Sequence, residues 1–248
     1  MNTAIAITDL TRMYQGRVCL AGYDQDRRCI RPVLPPPGIP ESALMDQGRP
    51  VIFPFALVAF DLLQPDPQPP HTEDYFFAAG SQNYIRTVKN REELLKWSLF
   101  ESVEAIFEQP VHTGPGFYVM DCQGPRSVGT IQPHDILKAI YEPGPEGVWD
   151  YRLLFKDGQD ETYRLKITDL TWHYYCDSLK GEHCDATKIA ARLDGILKSS
   201  RVYLRIGLAR GWKKFPDRCF LQINGIYTFP DYLKGQTFAD FRAGRNNN

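Results

Sequence analysis

The sequence lacks the short motifs that mark most common enzyme classes. Its 248 residues contain no Gly-x-x-x-x-Gly-Lys phosphate loop, no Gly-x-Ser-x-Gly nucleophile turn, no His-Glu-x-x-His pair and no Gly-x-Gly-x-x-Gly fingerprint. These absences weaken each common enzyme assignment, although they exclude none. We lean towards a protein that is not an enzyme, and we predict no catalytic residues, no metal and no cofactor.

Long apolar runs and closely spaced cysteine pairs are also missing. Nowhere do eighteen apolar residues run together, and residues 1–10 have neither a positively charged start nor a long apolar stretch. The six cysteines include no Cys-x-x-Cys pair, a usage typical of a reducing compartment. We therefore expect a soluble cytoplasmic protein that does not bind membranes.

Charge is nearly balanced over the whole chain but is segregated along it. The formal net charge is -1, so any attraction for a polyanion must come from a local patch. Residues 198–218 contain seven basic side chains and one acid, whereas residues 142–161 contain six acids and two basic side chains. The basic segment is the clearest candidate binding feature.

The pentapeptide Ile-Thr-Asp-Leu-Thr occurs twice, at residues 7–11 and 167–171. Both times an Arg-Val-x-Leu signal and then an Arg-Cys signal follow it in the same order. Three ordered matches favour a duplicated β module, which more often presents a binding surface than a single catalytic pocket. Chance is the alternative, because the signals are short and the gaps between them differ.

Short β-favouring runs, about ten in number and separated by polar or proline-rich turns, make up most of the chain. Residues 91–107 predict one helix or two short ones, and residues 186–198 predict a helix with Asp185 at its N-cap. Because no strand–helix–strand rhythm is present, a parallel α/β sheet is not expected. A mainly β fold with two five-stranded barrels and a few inserted or linking helices fits the pattern.

Several stretches resemble the dual OB-fold domain proteins of bacteria. They are residues 7–10, 16–19 and 28–32, and the segment Gly-Ile-Tyr-Thr-Phe-Pro-Asp-Tyr at residues 225–232. The resemblance spans most of the chain and implies two OB-like barrels and a role in nucleic-acid binding, with no catalytic residue. We place the first barrel and a helical linker at residues 1–120, the second barrel with an inserted helix at 121–241, and a disordered tail at 242–248.

The strand that begins near residue 201 predicts a nucleic-acid-binding face. Alternation puts Tyr203 and Arg205 opposite Val202, on a face that we expect to be solvated. A tyrosine beside an arginine suits base stacking and phosphate neutralisation, so single-stranded RNA or DNA is the predicted partner. The candidate contacts are Arg201, Tyr203, Arg205, Arg210, Trp212, Lys213 and Lys214. An ordinary solvated strand followed by a basic loop is the alternative.

Two arginines of the first repeat copy extend this prediction. Arg17 matches Arg201, and Arg28 matches Arg218. If the repeat is real, both barrels present arginines at the same strand positions and form a bipartite groove, so Arg17 and Arg28 join the candidate contacts. Alternatively, these arginines pack along the barrel and pair with the repeated aspartates, Asp9 and Asp169.

The repeated aspartates and a group of histidines and cysteines are weaker candidates. We expect Asp9 and Asp169 to satisfy turn amides rather than to bind a cation. Four zinc-capable side chains lie within twelve residues, but their spacing matches no familiar zinc pattern, and a polar loop is the simpler interpretation. These four are His173, Cys176, His183 and Cys184.

Two other classes of function stay open. The chain could be an enzyme or sensor for a nucleotide-like small molecule in the cleft between the barrels, which would use Asp9, Asp169 or the histidine–cysteine group. It could also be a protein-interaction module whose aromatic C-terminal segment, residues 227–241, docks a partner.

Overall fold

The computed structural model describes residues 1–144, 148–183 and 185–242, and the fold is mainly β, as expected. The N-terminal part contains nine strands: β1 (Asn2–Arg12), β2 (Arg17–Tyr23), β3 (Cys29–Val33), β4 (Ile39–Pro40), β5 (Met45–Asp46), β6 (Arg49–Pro50), β7 (Ala56–Pro65), β8 (Asp74–Phe77) and β9 (Asn83–Thr87). The remaining elements are α1 (Arg91–Lys96), β10 (Leu99–Phe100), α2 (Val103–Phe107), β11 (His112–Thr113), β12 (Phe117–Met120), β13 (Val128–Ile131), β14 (Asp135–Pro143), β15 (Trp149–Lys156), β16 (Thr162–Ile167), α3 (Leu170–His183), α4 (Ala186–Lys198), β17 (Arg201–Leu208), β18 (Arg218–Phe229) and α5 (Phe238–Arg242).

Five strands of the N-terminal part close a barrel. Neighbours along the sheet are β1, β2, β3, β8 and β7, and β7 pairs back onto β1. The β3–β8 pair is parallel, and the other pairs are antiparallel. The first half of β1 pairs with β7 and the second half with β2, so one strand completes the ring. This is the topology that an OB barrel requires.

Gly22 lies where β1 bends from one partner strand to the other. Ala6 of β1 pairs with both Leu57 of β7 and Tyr23 of β2. A Cβ on Gly22 would lie 2.2 Å from the carbonyl oxygen of Ala6, well inside any non-bonded contact distance. The bend that closes the barrel therefore requires glycine at this position.

The C-terminal part forms a second sheet with a matching neighbour order. Its path includes β13, β17, β18, β16, β15 and β14, and β16 and β18 are parallel, like β3 and β8. The strands β13 and β14 take the places of the two halves of β1, but residues 132–134 separate them. Within the described ranges no ladder closes this path, so only the first barrel is closed by hydrogen bonds.

The three repeated signals do not mark equivalent strands. The first pentapeptide lies within β1, which pairs with β2, the strand of the first Arg-Val signal. The second pentapeptide ends β16 and begins α3, and β16 pairs with β18 rather than with β17, which carries the second Arg-Val signal. The sequence matches are therefore not a guide to the structural correspondence, since matches of a few β-favouring residues are too short to fix topology.

The predicted helices are present, and two further helices, α3 and α5, were missed. Residues 91–107 form the two short helices α1 and α2. Asp185 caps α4 by accepting a hydrogen bond from the Thr187 amide at 2.8 Å. The polar loop expected at residues 173–184 is mostly α3, whose aromatic side chains are buried by packing on several sides, so the helix shows no polar–apolar periodicity.

Residues 99–120 belong by strand pairing to the second sheet. β10 pairs with β13, and β12 pairs with β18. The predicted first domain of residues 1–120 therefore includes strands that pair with the second sheet. At the other end, Arg242 lies in α5, and the rest of the predicted tail lies outside the described residues.

Tyr203 and Arg205 are buried between the first barrel and the second sheet. The predicted alternation along β17 is correct, since Val202 and Leu204 pack into the core of the second sheet. The opposite face is not solvated, because the first barrel covers it: Tyr203 is 1% exposed and Arg205 is 0% exposed. The prediction that these two residues present a solvated binding face is therefore wrong. Strand alternation predicts which residues share a face, but it does not predict which part of the molecule packs on that face.

Arg205 reaches from β17 into the first barrel. Its Nη2 lies 2.8 Å from Oδ2 of Asp9, and its Nε donates to the same oxygen at 3.0 Å. Nη1 donates to the hydroxyls of Tyr23, Ser98 and Thr130 at 2.7, 2.8 and 3.0 Å. A buried guanidinium is tolerated only with a partner charge and filled hydrogen-bond sites, and this one has both.

Apolar and backbone contacts surround this ion pair. Ala6 and Tyr23 of the first barrel form one buried cluster with Leu94, Tyr203 and Tyr227. The Tyr227 hydroxyl donates to the Thr8 carbonyl at 2.7 Å. The two halves are therefore joined by a buried interface with a hydrogen-bonded ion pair at its centre.

Removing the Arg205 side chain should destabilise the whole protein. Arg205→Ala leaves the Asp9 carboxylate buried without its partner, which costs about 3–5 kcal/mol of unfolding free energy. Urea denaturation followed by circular dichroism measures this loss.

Arg201→Ala is the matched control, because Arg201 lies on the same strand, is exposed and pairs with Glu92 at 3.3 Å. It should leave the midpoint almost unchanged. Equal losses in the two variants would contradict the role assigned to the Arg205–Asp9 pair.

Candidate nucleic-acid interface

Four exposed residues of the predicted contact set lie in the loop between β17 and β18. Arg210, Trp212, Lys213 and Lys214 are all exposed there, and Trp212 is 60% exposed. We call residues 210–218 the aromatic–basic loop. An exposed tryptophan is unusual on a protein surface, because a large apolar ring is normally buried.

The backbone of the aromatic–basic loop is a closed turn. The Trp212 amide donates to the Phe215 carbonyl at 3.2 Å, and the Phe215 amide donates to the Trp212 carbonyl at 2.8 Å. Lys213 and Lys214 therefore form the tip of a two-residue turn. A Cβ on Gly211 would lie 2.3 Å from the Pro216 carbonyl oxygen, so the approach of the two loop arms requires glycine.

Aromatic side chains of neighbouring strands pack against the residues of the turn. Phe220 of β18 packs against Phe215 and Trp212, with ring centroids 5.6 and 6.3 Å apart. The Arg218 guanidinium lies 4.9 Å from the Phe215 centroid and 4.6 Å from that of Tyr118 on β12. Aromatic rings and cations thus alternate along the surface next to the loop. Such rings can stack with unpaired bases, and such cations can neutralise phosphates.

Arg210 anchors the loop to the first barrel. Its guanidinium pairs with Asp74, whose carboxylate is buried and also pairs with Arg31. About half of the Arg210 side chain is nevertheless exposed. Arg210 therefore positions the loop and contributes less free charge than the two lysines.

The other predicted arginines belong to other elements. Arg201 is at the opposite end of β17 from Arg210, roughly 25 Å away along the strand. Arg17 begins β2, whereas Arg28 follows its far end and pairs with Asp24 at 2.8 Å. Arg17 and Arg28 are therefore separated along β2. Arg28 pairs with Asp24 and not with Asp9 or Asp169, so its expected pairing with a repeated aspartate is wrong.

Tyr118, Arg218 and Phe220 were not among the predicted contact residues, although all three belong to this site. The alternation of β18 carries the signal for two of them, since Arg218 and Phe220 are half-buried on one face while Cys219 and Leu221 are buried on the other. Tyr118 could not be found in this way, because it reaches the site through the long-range pairing of β12 with β18.

The aromatic C-terminal segment packs against its own chain. Phe238 is buried in the core of the first barrel, and Tyr227 is buried at the interface. The Tyr232 ring packs on Trp172 and Tyr175, with centroids 5.4 and 5.1 Å apart. The prediction that this segment docks a partner is wrong for these rings, because the fold already covers them.

The repeated aspartates have different structural roles. Asp169 accepts hydrogen bonds from the amides of Thr171, Trp172 and Ile226 at 2.8, 3.2 and 2.9 Å, which confirms the expected role at a turn. Asp9 instead balances the charge of Arg205. Both are buried, so neither carboxylate is available to a ligand in an open cleft.

The histidine–cysteine group is only partly within the described residues. Cys176 is buried in the core on α3, and the His173 ring lies 2.7 Å from the Ile167 carbonyl oxygen. The side chains of His183 and Cys184 lie outside the described residues. In the part of the chain that the structure describes, no three histidine, cysteine, aspartate or glutamate side chains are placed to hold a metal ion.

One thiol contacts both an imidazole and a carboxylate without the properties of a nucleophile. Cys219 Sγ lies 4.0 Å from His71 Nε2 and 3.3 Å from Asp121 Oδ1. Burial raises the pKa of Cys219 to about 12 and lowers the pKa of His71 to about 2. At neutral pH both groups are therefore neutral, and no thiolate is formed.

The family comparison agrees with the topology of the closed barrel. The model of the dual OB-containing domain family matches residues 7–226. The chain belongs to this family. A search of curated proteins found no significant match to this chain. Among the described residues of this dual OB-containing protein, no helix is long and apolar enough to cross a membrane.

The buried carboxyl of Asp169 should make stability depend on pH. Burial raises its pKa from 3.8 to about 7 despite its amide contacts, so the native state holds the proton more tightly than the unfolded state. The contribution of this group to stability is complete below pH 3.8 and is lost as the pH rises to about 7. The difference in unfolding free energy between wild type and Asp169→Asn should fall over that range and then level off.

Urea denaturation at a series of pH values measures this difference. Asp217→Asn, at an exposed acid of the aromatic–basic loop, is the control for the removal of a surface carboxylate. A constant difference for Asp169→Asn would contradict the assigned titration.

Proposed function

We propose that this protein is a non-enzymatic binder of single-stranded nucleic acid that uses the aromatic–basic loop. The observation that carries the proposal is an exposed Trp212 on a closed turn beside Lys213 and Lys214. A fixed ring loses little conformational entropy on stacking, and two lysines at the tip neutralise neighbouring phosphates. The OB family membership supports this function, because OB barrels bind oligonucleotides through strand faces and loops such as this one.

Two finer points of architecture belong to the same proposal. We infer that the second sheet is an OB barrel whose first strand is broken at residues 132–134. We also infer that the domain boundary lies near residue 90, before the helices and strands that pack on the second sheet. The aromatic–basic loop then connects the fourth and fifth strands of that barrel, one of the two loops that line OB binding sites.

The proposal predicts weaker binding when Trp212 is truncated. Loss of one stacked base costs about 1–3 kcal/mol, so Trp212→Ala should raise the Kd for a labelled single-stranded oligonucleotide about 5- to 150-fold. Fluorescence anisotropy with single-stranded RNA, single-stranded DNA and duplex DNA measures this change and shows which strand is preferred.

Removing the loop charges should change the salt dependence. Lys213→Ala/Lys214→Ala should reduce the slope of log K against log salt by about 1.4, because each single-strand phosphate contact contributes about 0.7. The matched control is Lys198→Ala/Arg201→Ala, which removes the same charge at the other end of β17 and should preserve the slope. Absence of binding by folded wild type at low salt, or equal effects of the two pairs, would overturn the proposal.

A further inference from the structure

A cleft of about 860 Å³ lies where the first barrel meets the second sheet, away from the aromatic–basic loop. One wall is the turn between β1 and β2, residues 12–16. The other wall is formed by β15, β16 and α3, and Trp149 and Lys180 contribute to it. Binding sites for small molecules commonly have this size and occupy the junction between two folded units.

The wall that comes from the first barrel is firmly held. The Arg12 amide donates to the Thr168 carbonyl at 2.7 Å, and Thr11 forms a β-bridge with Asp169. The turn itself contains Gln15 and Gly16 at φ 55° and 66°, which directs the backbone sharply around the tip. The cleft is therefore formed in advance of any ligand.

Apolar surface is unusually exposed around this cleft. Tyr14 is 86% exposed, Met13 52% and Val148 66%, and all three line it. On the opposite wall Trp149 stacks on Tyr141 with centroids 4.5 Å apart. Exposed rings and aliphatic groups that face one cavity mark a surface on which a flat apolar group can be buried.

The charges in the cleft select an anion. Three cationic side chains line it: Arg12, Lys166 and Lys180. The Lys180 Nζ lies 3.6 Å from the centroid of the Trp149 ring, and this cation–π contact holds the ammonium group at the wall of the cleft. The one carboxylate among the described lining residues, Asp177, accepts hydrogen bonds from the Tyr151 and Tyr141 hydroxyls at 2.6 and 3.3 Å. Positive charge therefore exceeds negative charge among the described lining residues, although the whole chain has a net charge of -1.

We infer that this cleft binds a nucleoside phosphate, either as a free nucleotide or as one nucleotide of a strand. The base stacks on Tyr14 and covers Met13, and the exposed amide of Gln15 is placed to hydrogen-bond a base edge. The phosphate is held by Lys166 together with Arg12. The buried acids Asp9 and Asp169 have no part in this site, and the site does not depend on the aromatic–basic loop.

Isothermal titration calorimetry with AMP, GMP, CMP and UMP tests the inference. At least one of these should bind with a stoichiometry of one, and the matching nucleoside without phosphate should bind at least tenfold more weakly. Tyr14→Ala and Lys166→Ala should each weaken binding at least tenfold. Both side chains are exposed, so the variants should unfold at the wild-type temperature.

Leu63→Ala, at an exposed side chain of β7 that belongs to neither the cleft nor the loop, is the control and should leave nucleotide binding unchanged. Because Tyr14→Ala and Lys166→Ala probe the cleft whereas Trp212→Ala probes the loop, failure of the loop proposal and failure of this one are distinguishable. If only an oligonucleotide binds and Tyr14→Ala weakens it, the cleft holds a nucleotide of a strand, which also supports the inference. No binding of any of these probes at millimolar concentration, or binding that is insensitive to both cleft substitutions, would overturn it.

Discussion

The buried ion pair between Arg205 and Asp9 determines how the two halves of the molecule meet. A guanidinium in an apolar interior is stable only where a carboxylate and hydrogen-bond acceptors are placed around it. Here the carboxylate comes from β1, and the hydroxyls come from Tyr23, Ser98 and Thr130. Because these groups belong to both halves, a different docking angle would leave several of them unsatisfied, and the pair selects one arrangement.

That arrangement also determines where a ligand can bind. The strand face that would be the natural groove on β17 is closed by the first barrel, so the exposed binding chemistry lies at the margins of the interface. At one margin Asp74 of the first barrel anchors Arg210 at the base of the aromatic–basic loop. At another, the hydrogen bond from the Arg12 amide to the Thr168 carbonyl holds one wall of the cleft in place. Each candidate site therefore depends on the docking of the two halves, although neither includes the central ion pair.

Local features were predictable from the sequence, and long-range ones were not. Strand alternation along β17, the N-cap at Asp185 and the exposed Trp212–Lys213–Lys214 turn follow from neighbouring residues alone. The burial of Arg205 depends on an aspartate 196 positions away, which no local pattern can identify. A tyrosine beside an arginine on one face of a strand is typical both of a binding surface and of a buried polar interface. The pattern alone therefore does not distinguish the two.

The segregation of charge along the chain limits the length of ligand that each site accepts. Near the cleft, Glu142 and Asp150 face each other across β14 and β15, with Arg164 3.9 and 4.0 Å from them and Arg152 2.6 Å from Asp150. These arginines compensate the acids but leave little free positive charge beyond Trp149, so a long polyanion gains nothing by extending past the cleft. Asp121 and Asp217 border the aromatic–basic loop, and Asp74 pairs with Arg210, but among the described residues no acid forms an ion pair with Lys213 or Lys214. A single nucleotide is therefore better suited to the cleft, and a continuous strand is better suited to the loop.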